Sequence, residues 1–204
     1  MAAPRNSPPH NPFDRGYYGS DELKTFGFAT VGHDVWISKI CTIIGLPNIA
    51  IGSHVRIDDK VTIIAAEGRV SIGSYVHIGE CCYLSAAGGI TLKDFCGLSQ
   101  GVRVYSVTDD YEGGHLTNPT VPKEFLGLEI APVVIGRHVI VGSGSVILPG
   151  CTLGEGSSVG ALSLVTKSLD AWGVYVGAPA RRAKARSREL LELEKQLMAT
   201  ERQS

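Results

Sequence analysis

Long apolar runs and a charge imbalance are both missing from this sequence. No apolar stretch approaches the roughly 20 residues that a transmembrane helix needs. Residues 1–15 are rich in proline, asparagine and charge, without the apolar segment of a secretory signal. We therefore expect neither a membrane span nor a signal peptide. Lysine and arginine (19) balance aspartate and glutamate (20), which disfavours nucleic-acid-binding and membrane-surface proteins, since both depend on a basic excess.

Paired cysteines and aromatic residues are also scarce. The cysteines are odd in number, form no CxxC pair and lie at Cys41, Cys81, Cys82, Cys96 and Cys151. We expect reduced thiols that fill small spaces in the core of a cytoplasmic protein. Aromatic residues make up only 7% of the chain, whereas the 25 glycines indicate many tight turns.

An aliphatic residue recurs every six positions over most of the chain. The clearest run is Ile135, Val141, Ile147, Leu153, Val159 and Val165. Earlier triplets keep the same spacing: Val31, Ile37, Ile43; Ile51, Ile57, Ile63; Ile72, Ile78, Leu84; and Leu92, Leu98, Val104. Mostly small residues lie four positions after the aliphatics of the last run: Val139, Ser145, Cys151, Ser157 and Ser163. A period of six fits neither an α-helix nor a hairpin, but it fits a short strand followed by a turn.

Three such strands make one triangular coil of about 18 residues, and stacked coils bury a ladder of aliphatic side chains. Extra residues fall only after the third aliphatic of a coil, so they collect at one corner. The pattern predicts an all-β protein, a parallel β-helix domain over residues 31–182 with about six coils between Val31 and Lys167.

Three segments lie outside the coils. The insertion at 105–132 is expected to be functional, because long loops within compact repeats usually are. The N-terminal extension, 1–30, is predicted to contain a short helix from Ser20 to Phe26. Residues 183–204 carry leucines at helical spacing and predict an amphipathic C-terminal helix from Ala183 onward.

The sequence resembles the hexapeptide-repeat acyltransferases. The stretch 132–183, which contains SVILPG, SLVTK and GAPAR, is similar to the C-terminal half of sugar O-acetyltransferases of the galactoside and maltose type. The stretches VRIDD and YSVTDDY…LTNPTVP look closer to enzymes that acetylate nucleotide-linked amino sugars, such as the TDP-4-amino-4,6-dideoxyglucose type. The resemblance implies a left-handed parallel β-helix that forms a homotrimer, with acetyl-CoA as acyl donor and active sites between subunits beside the long loop.

The resemblance favours N-acetylation of a nucleotide-linked amino sugar for surface polysaccharide synthesis. Sugar O-acetylation, acetylation of a xenobiotic and a non-catalytic trimeric scaffold remain alternatives. A zinc enzyme of the γ-carbonic anhydrase type shares the fold, but its closely spaced histidine ligands have no counterpart here, so we expect no metal.

Candidate catalytic residues cluster in the insertion. Sugar O-acetyltransferases place a basic histidine where an ungapped match puts Asp109 in this chain, with Asp110 beside it. His115 could replace that histidine as general base, or a carboxylate could suffice for an amine acceptor. His77 precedes an inward aliphatic and is expected on an outer face, as a further candidate. The corner residues His33, His54 and His138 are expected to face solvent.

Candidate binding residues follow from the resemblance. Those assigned to acetyl-CoA are Ser143, Ala161, Ser163, Lys167, Pro179, Arg181, Arg182 and Lys184, where the basic members suit phosphates. Those assigned to the sugar acceptor are Arg56, Asp58, Asp59, Tyr105 and Asn118.

Overall fold

The computed structural model describes residues 13–201. Its elements follow in chain order as β1 (Tyr17–Gly19), α1 (Ser20–Leu23), β2 (Thr30–Val31), β3 (Val35–Ser38), β4 (Thr42–Ile44), β5 (Ile49–Ile51), β6 (Val55–Ile57), β7 (Thr62–Ile64), β8 (Val70–Ile72), β9 (His77–Ile78), β10 (Tyr83–Ser85), β11 (Ile90–Leu92), β12 (Gly97–Leu98), β13 (Arg103–Tyr105), β14 (Val107–Thr108), β15 (Glu129–Ile130), β16 (Val133–Ile135), β17 (Ile140–Val141), β18 (Val146–Ile147), β19 (Thr152–Leu153), β20 (Ser158–Val159), β21 (Leu164–Val165), β22 (Gly173–Val176), β23 (Arg181–Ala185) and α2 (Leu190–Glu201).

Three sheets form the walls of a triangular solenoid. Sheet A has the order β1-β3-β6-β9-β12-β17-β20-β22-β23, sheet B runs from β2 to β19, and sheet C runs from β4 to β21. Strands of successive coils pair in parallel; within residues 13–201 the antiparallel pairs are β1 with β3 and β22 with β23 at the two ends of sheet A, and β14 with β15 outside the three walls. Six complete coils and a partial seventh confirm the predicted β-helix.

The six-residue period is the reason for this fold. The repeated aliphatics pair with their counterparts one coil away, as in Ile37 with Ile57 and Ile57 with Ile78, and nearly all of them are fully buried. The small residues predicted beside them, such as Ser145 and Cys151, are buried as well. All five cysteines are free, as expected, but Cys81 is exposed and therefore does not fill the core.

The corner between sheets B and A carries a stack of rings that the repeat alone did not predict. His54, Tyr75, Phe95 and His138 each adopt a left-handed backbone conformation. Consecutive rings are 4.6 to 5.1 Å apart between centroids. His138 is only 7% exposed, so the expectation that it faces solvent is wrong. A C-terminal helix covers it, with Glu194 Oε2 2.8 Å from His138 Nε2.

Both terminal helices are shorter than predicted. Helix α1 ends at Leu23 rather than Phe26. Residues 181–185 form strand β23, paired with β22, so the C-terminal helix begins at Leu190 instead of Ala183. Among residues 13–201, no helix is long and apolar enough to cross a membrane.

Candidate active site

The long insertion folds over the outer face of sheet C, and together they line an open cavity of about 1020 Å³. Strands β14 and β15 form its stem, pairing Val107 with Ile130 and Thr108 with Glu129. The floor is apolar and comes from sheet C and the segments that follow its strands: Tyr105, Val146, Leu148 and Leu164. The rim is polar and carries Asp109, Asp110, Glu112, His115 and Glu129. One insertion thus places four carboxylates and a histidine over an apolar surface.

Within this rim, His115 is held in one orientation by two contacts. Its Nδ1 lies 3.0 Å from Oδ2 of Asp110. Its ring also packs against the backbone of Gly127, where an added Cβ would overlap the imidazole. The hydrogen bond from His115 lowers the pKa of the Asp110 carboxyl below its ordinary value. With Nδ1 occupied by Asp110, Nε2 is the nitrogen that His115 can offer to a substrate.

Asp109 lies beside this pair in the same cavity. Its Oδ1 accepts a hydrogen bond from the backbone N–H of Asn118 at 3.3 Å. The side chain of Asn118 instead accepts two hydrogen bonds from Thr120. The structure therefore brings Asp109, Asp110, His115 and Tyr105 together, while Asn118 supports the loop through its backbone.

A second polar cluster lies on the outer face of sheet A. His77 Nε2 is 2.8 Å from Asp58 Oδ2, while Asp58 Oδ1 accepts hydrogen bonds from Arg56 Nε (2.6 Å) and from the Tyr17 hydroxyl (3.1 Å). Burial on its own raises the pKa of the Asp58 carboxyl, but the hydrogen bonds from His77 and Arg56 outweigh it. The net pKa lies below the ordinary value of 3.8, so Asp58 is an anion that three neighbours already bind.

The two clusters are separate. Arg56, Asp58 and His77 belong to the second and third coils, whereas the insertion leaves the fourth coil. None of them lines the loop cavity. Asp59 accepts a hydrogen bond from the Ser38 hydroxyl at 2.5 Å. Within one chain, the VRIDD residues therefore form a network of their own.

The edge between sheets A and C carries two of the predicted acetyl-CoA positions. Ser143 and Ala161 lie there in successive coils, and Leu162 N–H bonds the Ser143 carbonyl at 2.9 Å. Close stacking depends on Gly142, because an added Cβ would overlap the backbone of Ala161. Since Ser143 and Ala161 are at least partly exposed, this edge can face an extended ligand.

Ser163 does not fit its predicted role. It is 2% exposed, and its hydroxyl accepts a hydrogen bond from the Gly177 N–H. Its own N–H donates to the Ser145 hydroxyl, and its carbonyl accepts from Val146. Ser163 therefore belongs to the core, where the repeat also predicted a small residue, and its side chain is not exposed to an acyl donor.

The predicted basic group is divided. Arg181, Arg182 and Lys184 are exposed on β23, the end strand of sheet A, which begins two residues after the exposed Pro179. Lys167 follows β21 and lies at the corner between sheets C and B. The three residues of β23 thus lie beyond the last coil at the end of sheet A, with Arg181 paired to Val176 at the last residue of β22, whereas Lys167 lies at a different corner.

No group of three or more histidine, cysteine, aspartate or glutamate residues within 13–201 is arranged to hold a metal ion.

The sequence did not predict the role of Gly127, which positions His115, or the apolar floor of the cavity. The period of six contained a signal for the floor, because Val146 and Leu164 directly precede buried aliphatics and so point outward.

Comparisons with known proteins agree with this architecture. The family model described as "Bacterial transferase hexapeptide (six repeats)" matches residues 132–167. The chain is 41% identical over 178 residues to the dTDP-4-amino-4,6-dideoxy-D-glucose acyltransferase of Escherichia coli, covering 87% of this chain and 93% of that protein. It is 31% identical over 130 residues to the putative colanic acid biosynthesis acetyltransferase WcaF of E. coli K12, covering 64% of this chain and 65% of that protein.

Solved structures of acyltransferases are similar to this chain as well. AntD, an N-acyltransferase from Bacillus cereus solved with dTDP and 3-hydroxybutyryl-CoA, superposes with a TM-score of 0.88 at 40% identity, covering 92% of this chain and 99% of AntD. A variant of AntD was solved with dTDP-4-amino-4,6-dideoxyglucose and coenzyme A. Other variants replace one serine, or an aspartate ten positions later in its chain. The chain therefore belongs to the hexapeptide-repeat acyltransferases, enzymes built on a left-handed parallel β-helix.

Proposed function

We propose that this enzyme transfers an acetyl group from acetyl-CoA to the amino group of a nucleotide-linked 4-amino-4,6-dideoxy sugar, in the synthesis of a surface polysaccharide. The observation that carries the proposal is the acidic rim of the loop cavity, with Asp109, Asp110, Glu112 and Glu129 around one histidine. Such a rim attracts a cationic amine far better than a neutral hydroxyl. The nucleotide sugars bound by the similar AntD support the same acceptor class.

The described residues fit the donor in two places. At the partly exposed A–C edge, backbone groups of Ser143 and Ala161 can form hydrogen bonds with the extended, amide-containing arm of coenzyme A. Beyond it, Arg181, Arg182 and Lys184 supply the positive charges that phosphates require. Coenzyme A would supply the acyl group as a reactive thioester.

In this reaction the sugar amine must lose a proton so that its lone pair can attack the thioester carbonyl. A C–N bond then forms, the C–S bond breaks and the thiol leaves. We assign the proton-accepting role to Asp109, which lines the cavity and is held by the Asn118 N–H. The spacing of the substituted AntD residues supports this assignment, because Ser99 and Asp109 are also ten positions apart. No other serine in the sequence has an aspartate at that distance.

A second candidate function is acetylation of a sugar hydroxyl. The pairing of His115 with Asp110 favours it, because a histidine oriented by a carboxylate is a common general base for hydroxyl nucleophiles. Under this alternative His115 would be essential, whereas N-acylation requires it less.

The test is to measure free-thiol release with acetyl-CoA and a panel of acceptors. The panel contains dTDP- and UDP-linked amino sugars, the matching sugars with a hydroxyl in place of the amine, galactosides and maltose. We expect turnover with a nucleotide-linked 4-amino-4,6-dideoxy sugar and at least 100-fold slower turnover with its hydroxyl counterpart. Turnover confined to galactosides or maltose would remove the N-acyl assignment.

We also propose that the enzyme acts in the cytoplasm as a homotrimer, without nucleic acid, as the family resemblance and the balanced charge suggest. Sedimentation equilibrium is the test of the assembly. A mass near three times 21.7 kDa is expected, whereas a monomer with full activity would contradict an active site shared between subunits.

A further inference from the structure

The backbone of Asn118 adopts a conformation that most residues avoid. Its φ is 76°, and apart from glycine it is the only residue of the insertion with a positive φ. Such a left-handed backbone brings Cβ close to the following carbonyl oxygen, which costs most residues free energy, whereas asparagine adopts it more readily. Position 118 therefore carries a conformational requirement that few other residue types meet.

Hydrogen bonds from Thr120 stabilise this conformation. The side-chain oxygen of Asn118 accepts one bond from the Thr120 N–H at 3.0 Å and a second from the Thr120 hydroxyl at 2.6 Å. The carbonyl oxygen of Asn118 also accepts a bond from the Val121 N–H at 3.3 Å. An asparagine side chain that binds the backbone two residues further on is typical of a tight turn. The side-chain oxygen of Asn118 is therefore engaged within the loop.

This turn directs the N–H of Asn118 toward Asp109. The N–H donates to Oδ1 of Asp109, with 3.3 Å between nitrogen and oxygen. Asp109 lines the loop cavity and is half-buried, whereas Asn118 is exposed and is not among the residues that line it. A hydrogen bond to one carboxylate oxygen orients the group and leaves its second oxygen available for an acceptor amine.

We propose that Asn118 is a positioning residue for the acyl transfer, because its left-handed backbone holds the N–H that orients Asp109 toward the sugar amine. This role rests on the proposed function, in which Asp109 accepts a proton from that amine. Under this assignment, position 118 contributes a backbone conformation to the site rather than an amide group that binds the acceptor.

Two substitutions at this position separate the two roles. Asn118→Gly removes the side chain but keeps the left-handed backbone accessible, whereas Asn118→Val introduces a β-branched residue that avoids it. We expect Asn118→Val to lower kcat about tenfold and to change KM for the amino sugar by less than about twofold, because a displaced carboxylate slows the chemical step without removing a substrate contact. Asn118→Gly should recover most of the lost kcat.

Thr117→Val is the matched control. It places the same side chain at the neighbouring exposed position, whose backbone is not left-handed, and should retain the kcat of the parent. Thr120→Val removes the hydroxyl that donates to the Asn118 side chain and should lower kcat about threefold. Thiol release with acetyl-CoA and dTDP-4-amino-4,6-dideoxyglucose measures the kinetics of each variant.

NMR spectroscopy tests the contact with Asp109 without any turnover. Selective ¹⁵N labelling of asparagine gives a simple spectrum, since the sequence contains only four asparagines. The Asn118 amide signal is identified by its loss in Asn118→Gly. It should move upfield in Asp109→Ala, because its proton loses a carboxylate acceptor. The amide of Asn48, which donates to the Gly45 carbonyl at 2.9 Å, should not move.

The outcomes separate the positioning role from the proposed function. An Asn118 amide that shifts in Asp109→Ala, in a protein that transfers acetyl to no amino sugar, would retain the contact and remove the proposed reaction. In an active enzyme, an equal loss of kcat in Asn118→Gly and Asn118→Val, or a raised KM in Asn118→Gly, would indicate a side-chain contact with the acceptor and overturn the inference. An Asn118 amide that does not move in Asp109→Ala would overturn it as well.

Discussion

The imidazole ring of His115 packs against the backbone of Gly127, twelve positions further along the same insertion. This contact and the hydrogen bond to Asp110 together fix the ring at the edge of the loop cavity. Because Asp110 owes its lowered pKa chiefly to this hydrogen bond, moving the ring should be visible in the titration of the carboxyl.

Replacement of Gly127 by alanine tests this relationship. The added methyl group would overlap the ring, so Gly127→Ala should displace His115 and raise the pKa of Asp110 toward its ordinary value. Carbon NMR of labelled aspartates across a pH titration measures the shift. Gly97→Ala is the control, because its Cβ would meet no closer atom than the His77 carbonyl oxygen at 4.0 Å. An unchanged Asp110 titration in Gly127→Ala would contradict the described contact.

Asp109 and His115 should differ in their importance for catalysis. Loss of a general base costs about 10²- to 10⁴-fold in rate, so Asp109→Asn should lower kcat by that amount, with a small effect on KM. His115→Ala should cost less than tenfold with an amine acceptor. Steady-state kinetics over the acceptor panel measures both. A larger loss of kcat in His115→Ala than in Asp109→Asn would favour O-acetylation instead. Full rates in both variants would show that the insertion is not the catalytic element.

The cluster around Asp58 predicts a pH-dependent stability difference. The folded-state pKa of this carboxyl lies below 3.8, so its stabilising contribution is fully present above the unfolded value and is lost as the pH falls through the folded value. Asp58→Asn should lower the free energy of unfolding by about 1 kcal/mol at pH 7, because two of its partners are partly exposed. Urea unfolding at several pH values measures this. The difference between the variant and the parent should shrink below about pH 4; a constant difference down to pH 3 would contradict the ionic role.

The free energy that holds helix α2 against the solenoid should depend far more on Glu194 than on Glu192. Glu194 is 11% exposed and pairs with both Arg137 and the buried His138. Glu194→Ala would leave the His138 ring without this partner, at a cost of about 1–3 kcal/mol. Glu192 is 65% exposed and pairs only with Lys195 on the same helix, so Glu192→Ala should cost less than about 0.5 kcal/mol. Equal midpoints of urea unfolding for the two variants would argue against the docked helix.

The solenoid could be predicted from the sequence because its period is local and repeated. Each inward aliphatic, such as Ile57 or Ile147, has the same environment in every coil, so many weak signals agree. The insertion was also predictable, since it interrupts the period. Its carboxylates and histidine could be named as candidates, but their pairing depends on the folded path of the loop.

The errors arose where one part of the chain covers another. Residues 181–185 have good intrinsic helix propensity, yet pairing with the exposed edge of β22 outweighs it. His138 lies at a corner that would be exposed without α2, and nothing in the local sequence indicates that the helix folds back over it. The sequence predicted both core packing and donor binding for Ser163. Its three hydrogen bonds within the solenoid agree with core packing.

The most direct test of the account is a crystal structure of the protein with coenzyme A and dTDP-4-amino-4,6-dideoxyglucose. We expect the thiol at the A–C edge beside Ser143 and Ala161, the sugar amine within hydrogen-bonding distance of Asp109, and the phosphates near Arg181 and Arg182. Ligands bound away from the loop cavity, or an amine that faces no carboxylate of its rim, would contradict the proposed acyl transfer.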